Sequence, residues 1–222
     1  RENIEFIFTY KYVQDGEEFL IGNQGHSMIS IDSADDQTIT EVAFYCSKKE
    51  GDLMRKFFPN YKQSGVAYNY YNSNGASFEP KEGSGLVENE MNVWIHPFRR
   101  ATYFAMLNIN PYPYVKYPIS IGDEYKWELK VGGNTYTNPI WAEWEGSTNR
   151  KHLYKVVNKV EKDYPFAKGA VVYHIQATST SEIGDSSADF WFSKEFGFVE
   201  MNYTNINGTK FNFKLDRIIP RK

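Results

Sequence analysis

Apolar side chains recur at every second position near the start of this chain. Ile4, Phe6, Phe8, Tyr10 and Tyr12 alternate with a set that includes Glu5, Thr9 and Lys11. A period of two sends one set of side chains to one face of a pleated strand, which a helix does not do. The pattern returns where Tyr125, Trp127, Leu129 and Val131 alternate with Lys126, Glu128 and Lys130. Composition agrees with it. Phe, Trp and Tyr make up 17% of the residues, and aromatic side chains suit a half-buried pleated surface.

Turn signals divide the chain into strands. Asp15-Gly16 precedes a return strand at Phe19-Leu20-Ile21, and Gly22 and Gly25 bracket a bend before Met28 to Ile31. Asp35-Asp36 turns the chain again into a strand from Ile39 to Cys46, with Val42, Phe44 and Cys46 on one face. Asp52 to Phe58 predicts two helical turns ended by Pro59. From about residue 60 to 90 the composition of Asn, Ser, Gly and Tyr predicts a long polar loop with one short hairpin. Val93-Trp94-Ile95 reads as a short strand closed by His96-Pro97, and Pro111, Pro113 and Pro118 as an extended lead-in. Further strands are marked by Tyr154, Val156 and Val160, by Ala170 to Thr178 and by Asp189 to Phe192. Phe198 to Tyr203 and Phe211 to Leu215 flank Asn207-Gly208, a pair that accepts positive φ at both central positions of a tight hairpin turn.

About ten short strands in one sheet must curl or stack to hide a single apolar face. The expectation is an all-β fold over residues 1–222 as a single domain. It is one strongly curved antiparallel sheet, a half-barrel or open barrel, with loops or a short helix across the concave side.

Several functional classes find no support. A net charge of −3 gives no electrostatic footprint for nucleic acid. A membrane-spanning helix needs about 20 apolar residues, and the longest runs here resemble Phe19-Leu20-Ile21. Cys46 is the single cysteine and closes no internal disulfide. Arg1 stands where a starting Met would, which reads as a removed leader or a trimmed start. The histidines at 26, 96, 152 and 174 lie far apart, and His174 reads as a satisfied histidine of the sheet. No metal site, cofactor or catalytic residue is assigned: metal-ligand spacing, a nucleophile elbow and a phosphate loop are all missing.

Two segments carry the candidate ligand contacts. Trp94-Ile95-His96-Pro97-Phe98-Arg99-Arg100 sets two arginines behind an aromatic patch, able to grip an anion or to cap the sheet rim. Trp141-Ala142-Glu143-Trp144-Glu145 places rings beside acids, as sugar-processing sites do. Trp94, His96, Arg99, Arg100, Trp141 and Trp144 are therefore the candidate binding residues.

The opening strand with its Asp-Gly turn resembles exported bacterial proteins of unknown function that fold as a curved β half-barrel. So do Tyr117-Pro118-Ile119-Ser120-Ile121-Gly122-Asp123-Glu124-Tyr125-Lys126-Trp127 and Phe196-Gly197-Phe198-Val199-Glu200-Met201. The segment around His96-Pro97 resembles a Bacteroidetes-type branch of that lipoprotein-like family. The resemblance implies export, with a periplasmic or outer-membrane-anchored location, and supplies no catalytic residue. The leading expectation is a non-enzymatic protein whose aromatic concave face binds an apolar or amphipathic, lipid-like ligand, or which binds an envelope partner. Alternatives are a carbohydrate-binding module using surface aromatics and an enzyme acting on envelope glycans. If that concave face is packed solid with its own side chains, the expectation of a ligand bound there fails.

Overall fold

A computed structural model describes residues 3–57, 62–132 and 144–221. The first half holds β1 (Ile4–Gln14), β2 (Glu17–Gly22), β3 (Met28–Ser30), β4 (Thr38–Ile39), β5 (Glu41–Cys46), α1 (Lys48–Phe57), β6 (Ser64–Tyr71), β7 (Glu82–Glu88) and β8 (Asn92–Ile95). After α2 (Ala101–Ala105) come β9 (Tyr114–Lys116), β10 (Glu124–Gly132), β11 (Ser147–Tyr164), β12 (Ala167–Thr180), β13 (Ser186–Ser193), β14 (Gly197–Thr204) and β15 (Lys210–Pro220). All these strands join one sheet, in the order β10-β11-β12-β13-β14-β15-β1-β5-β6-β7-β8-β9, with β2 beside β1 and β3 and β4 beside β2. The sheet curls until its two ends, β9 and β10, face each other as a nearly closed antiparallel barrel.

Local chemistry explains the turns. Asp15 and Gly16 have φ of 53° and 86°, the two left-handed residues that a two-residue hairpin turn requires, and Gln14 pairs Glu17 across it. The Asn207-Gly208 turn differs from the expectation. Only Gly208 has positive φ, at 81°, and the loop is longer: Asn205 N–H donates to Thr209 O (2.8 Å) and Gly208 N–H to Asn205 O (2.9 Å). The Asn207 side chain instead accepts from Thr209 Oγ1 at 2.7 Å, which holds Asn207 as a local cap.

The polar loop expected over residues 60–90 is corrected by β6 and β7, which lie inside the sheet. Val66, Tyr68 and Tyr70 are buried in the core, while Asn69 is buried on the other face and donates to the Glu5 carboxylate at 2.9 Å. Asn, Gly and Tyr look like loop residues in sequence. Here tertiary packing supplies the partners that make them strand residues. The helix begins earlier than expected and lies directly on β6. A Cβ on Gly65 would sit 2.1 Å from Gly51 N, so only glycine allows this approach.

The concave side is filled. Segment 98–112 enters the barrel as α2 and a 3-10 turn at Met106–Ile109, and Phe104, Met106, Leu107 and Ile109 are all buried in the core. Phe104 is fully buried against the rings of Tyr10 (5.3 Å), Tyr70 (5.5 Å) and Phe211 (5.2 Å). Tyr10 is held by both atoms of its hydroxyl, donating to Ile39 O and accepting from Ile21 N–H, each at 2.9 Å. The expected helix across the concave side is present, but as a plug that occupies the space proposed for a ligand.

Candidate functional site

β9 and β10 are the two ends of the strand path, and among the described residues no ladder joins them. They meet through rings. Trp94 on β8 lies 5.8 Å from Trp127 on β10, and Tyr114 on β9 lies 5.9 Å from the same indole. Tyr125 packs edge-on against Tyr114 at 5.2 Å and stacks on Tyr154 at 5.1 Å. A side-chain hydrogen bond crosses the join, from Tyr125 Oη–H to Tyr114 O at 2.7 Å. Trp94, Tyr114 and Trp127 remain half-buried.

Beneath the seam, two histidines approach the rings from separate strands. His96 lies 5.0 Å from Trp94 and 5.3 Å from Tyr112. His152, on the inward face of β11, lies 5.5 Å from Trp127 and is 2% exposed. Neither ring nitrogen of His152 has a hydrogen-bond partner among the described residues. Burial, and then the charge of Arg99, pushes His96 down to about 4. Burial, and then Arg150, does the same to His152, also to about 4. Both are neutral at pH 7, since a buried imidazolium without an acceptor is disfavoured.

Arg150, two residues before His152 on the same face, is fully buried yet satisfied by neutral acceptors. Its Nε donates to Ser179 Oγ (2.9 Å), Nη1 to Ser181 Oγ (2.5 Å) and Gly184 O (2.7 Å), and Nη2 to Ser186 Oγ (2.9 Å). Burial lowers its pKa to about 10, opposed by Asp185 and Glu182.

The structure thus joins two of the six candidate residues, Trp94 and His96, and adds Tyr112, Tyr114, Trp127 and His152. Tyr112 and Tyr114 fell in the Pro-rich lead-in, Trp127 in the alternating strand, and His152 among four scattered histidines. No signal in the sequence joins these four residues, which come from separate stretches of chain.

The two arginines make their hydrogen bonds outside the ring cluster. Arg100 donates to Asn23 O (2.7 Å), Pro80 O (3.1 Å) and Glu79 O (3.2 Å), with its guanidinium 4.9 Å from the centroid of the Tyr70 ring. Arg99 donates to Ser84 Oγ (2.7 Å) and Gly83 O (3.1 Å). Arg100 fastens two neighbouring loops, and Arg99 is fastened to strand β7. Trp144 is half-buried against the core; Trp141 and Glu143 lie outside the described residues. His174 stacks on Trp191 at 4.3 Å and its Nε2 lies 2.6 Å from Asp189 Oδ1.

Surface platforms are scarce: no described Phe, Tyr or Trp is exposed. Among the described residues no group of three His, Cys, Asp or Glu side chains is placed to hold a metal ion. No described helix is long and apolar enough to cross a membrane, a statement that leaves strands aside.

Fold and site together define a nearly closed antiparallel barrel with an interior plug and an aromatic closure. No family model and no curated protein matches the chain. Two solved structures are similar to it. One is a candidate exported protein of Bacteroides fragilis with a YmcC-like fold, 12% identical, covering 99% of this chain and 96% of that one, at a TM-score of 0.45. The other is the hypothetical lipoprotein YmcC of Escherichia coli, 9% identical, covering 100% of this chain and 89% of that one, at a TM-score of 0.40. The first is described as exported and the second as a lipoprotein. At identities this low the likeness assigns no role to any residue.

Proposed function

We propose that this is an exported, non-enzymatic protein that binds an apolar or amphipathic ligand at the aromatic seam between β8–β9 and β10. One observation carries the reading: the ends of the sheet are joined by half-buried rings and not by a backbone ladder. Rings can separate and re-pack around an acyl-sized chain without breaking main-chain pairing, whereas parting a ladder strips buried amides of their partners. The filled interior directs the ligand to the seam, with Trp94, Trp127 and Tyr114 as its apolar contacts and His96 and Tyr112 behind them. Export rests on the sequence motifs, and cell fractionation of the full-length gene product tests it.

Tryptophan quenching by a brominated fatty acid tests the ligand reading. A chain entering the seam contacts two of the five tryptophans, so emission should fall in a saturable way. In the double variant Trp94→Phe, Trp127→Phe the remaining tryptophans should report little quenching. No saturable quenching in the parent protein, or equal quenching in the double variant, overturns the proposal.

A further inference from the structure

Two hairpin tips stand side by side, away from the seam residues. One joins β11 to β12 through Pro165 and Phe166, the other joins β13 to β14 through Lys194, Glu195 and Phe196, and the rings of Phe166 and Phe196 meet edge-on at 5.1 Å. Between the tips lies a cleft of about 660 Å³ whose lining includes Lys159, Lys168, Tyr173 and Lys194 beside the two phenylalanines. Lys159 and Tyr173 are cross-strand partners, so their side chains share one face of the sheet.

The ammonium of Lys159 lies 5.6 Å from the centroid of the Tyr173 ring, and that of Lys194 lies 5.8 Å from the same ring. Two cations therefore gather on one aromatic ring. Among the described residues neither is ion-paired, whereas Lys162 pairs with Glu200 at 2.6 Å and Lys168 with Asp163 at 3.4 Å. Glu195 is the one carboxylate lining the cleft, against three lysines. The protein as a whole is negative, at −3, so this positive site is local. Part of its lining is apolar: beside the two phenylalanines stands Val171, which is 40% exposed.

We propose that this cleft binds the phosphate headgroup of an anionic lipid. Lys159 and Lys194 neutralise the phosphate, and Phe166, Phe196 and Val171 lie against the first carbons of the attached chains. An anion relieves the repulsion between two lysines held on one ring. The adjoining apolar wall distinguishes a lipid from free phosphate, which has nothing to bury there. This site is independent of the seam and of the ligand proposed for it.

Co-sedimentation with vesicles at low salt tests the proposal. The full chain should sediment with phosphatidylglycerol vesicles and not with phosphatidylcholine vesicles. The double variant Lys159→Gln, Lys194→Gln should bind roughly tenfold or more weakly. A charge-matched control, Lys81→Gln with Lys210→Gln, alters exposed lysines elsewhere and should stay within about twofold of the parent. Circular dichroism checks that each variant folds. Equal binding to the two vesicle types, no binding to either, or an equal loss in the control overturns the site. Calorimetric titration with inorganic phosphate is the second arm: binding as tight as that to the lipid makes this a free-anion site and overturns the lipid assignment.

Discussion

The run β14-β15-β1-β5 and the join between β9 and β10 close the same barrel by different physics. In the first, β1 pairs β15 from Ile4 opposite Pro220 to Val13 opposite Lys210, and the rings of Tyr10, Phe211 and Phe213 are buried against the plug residue Phe104. In the second, half-buried Trp94, Tyr114 and Trp127 meet across the seam without a ladder. Ladder and core lose stability together when either is disturbed. A seam of side chains can loosen while the rest stays folded. The difference assigns rigidity to the plugged wall and adaptability to the ends of the sheet.

Phe104→Ala should have the largest effect, a loss of about 3–5 kcal/mol in urea denaturation, because a fully buried ring leaves a cavity. Trp127→Ala at the half-buried seam should lose about 2 kcal/mol. An equal or greater loss at Trp127 would break the comparison.

Acid should act on the seam next. His96 and His152 are held down to about 4, below the ordinary histidine value. Their neutral forms therefore stabilise the fold above about pH 6.5, and that contribution is lost as pH falls toward 4. The expected loss is on the order of 2 kcal/mol for each histidine. Glu82 runs the other way: burial, opposed by Arg100 and Arg99, pushes its carboxyl up to about 7. Its contribution is present below about pH 4.5 and is lost as pH rises through 7. Denaturation of the parent and of His96→Gln, His152→Phe across pH 4–7 separates the two. The double variant should show a much flatter acid limb, and an unchanged limb would place the acid-sensitive groups outside the seam.

Tyr125→Phe removes the hydroxyl that donates to Tyr114 O, for a loss of about 1 kcal/mol. Hydrogen exchange should quicken in β9 and β10 and stay unchanged in β1 and β15. Uniform quickening would show the seam to be as integral as the core. The smallest expected effect is a gain. Ala101 begins α2 with φ of 44°, so Ala101→Gly relieves left-handed strain and should add roughly 0.5–1 kcal/mol, read as a rise in melting temperature.

The period-two stripes made β1 and β10 legible, because alternation is a local property of a half-buried strand. Asp15-Gly16 announced its turn for the same reason. β6 and β7 were not legible: Ser64 to Tyr71 and Glu82 to Glu88 carry loop-like residues whose partners, such as Glu5 for Asn69, lie far away in the chain. Of the candidate site, the Trp94–His96 cluster could be read as an aromatic patch. Its joining to Tyr112, Trp127 and His152 could not, since those residues come from three separate stretches.

The amino-acid order alone determined that this chain is all-β, antiparallel and curled, because alternation and turn chemistry act between near neighbours. Tertiary structure alone decided that segment 98–112 plugs the barrel, that Arg99 and Arg100 bind neighbouring backbone and that the ends of the sheet close on rings. Those outcomes depend on which distant surfaces meet, and packing between remote segments leaves no periodic mark in the sequence.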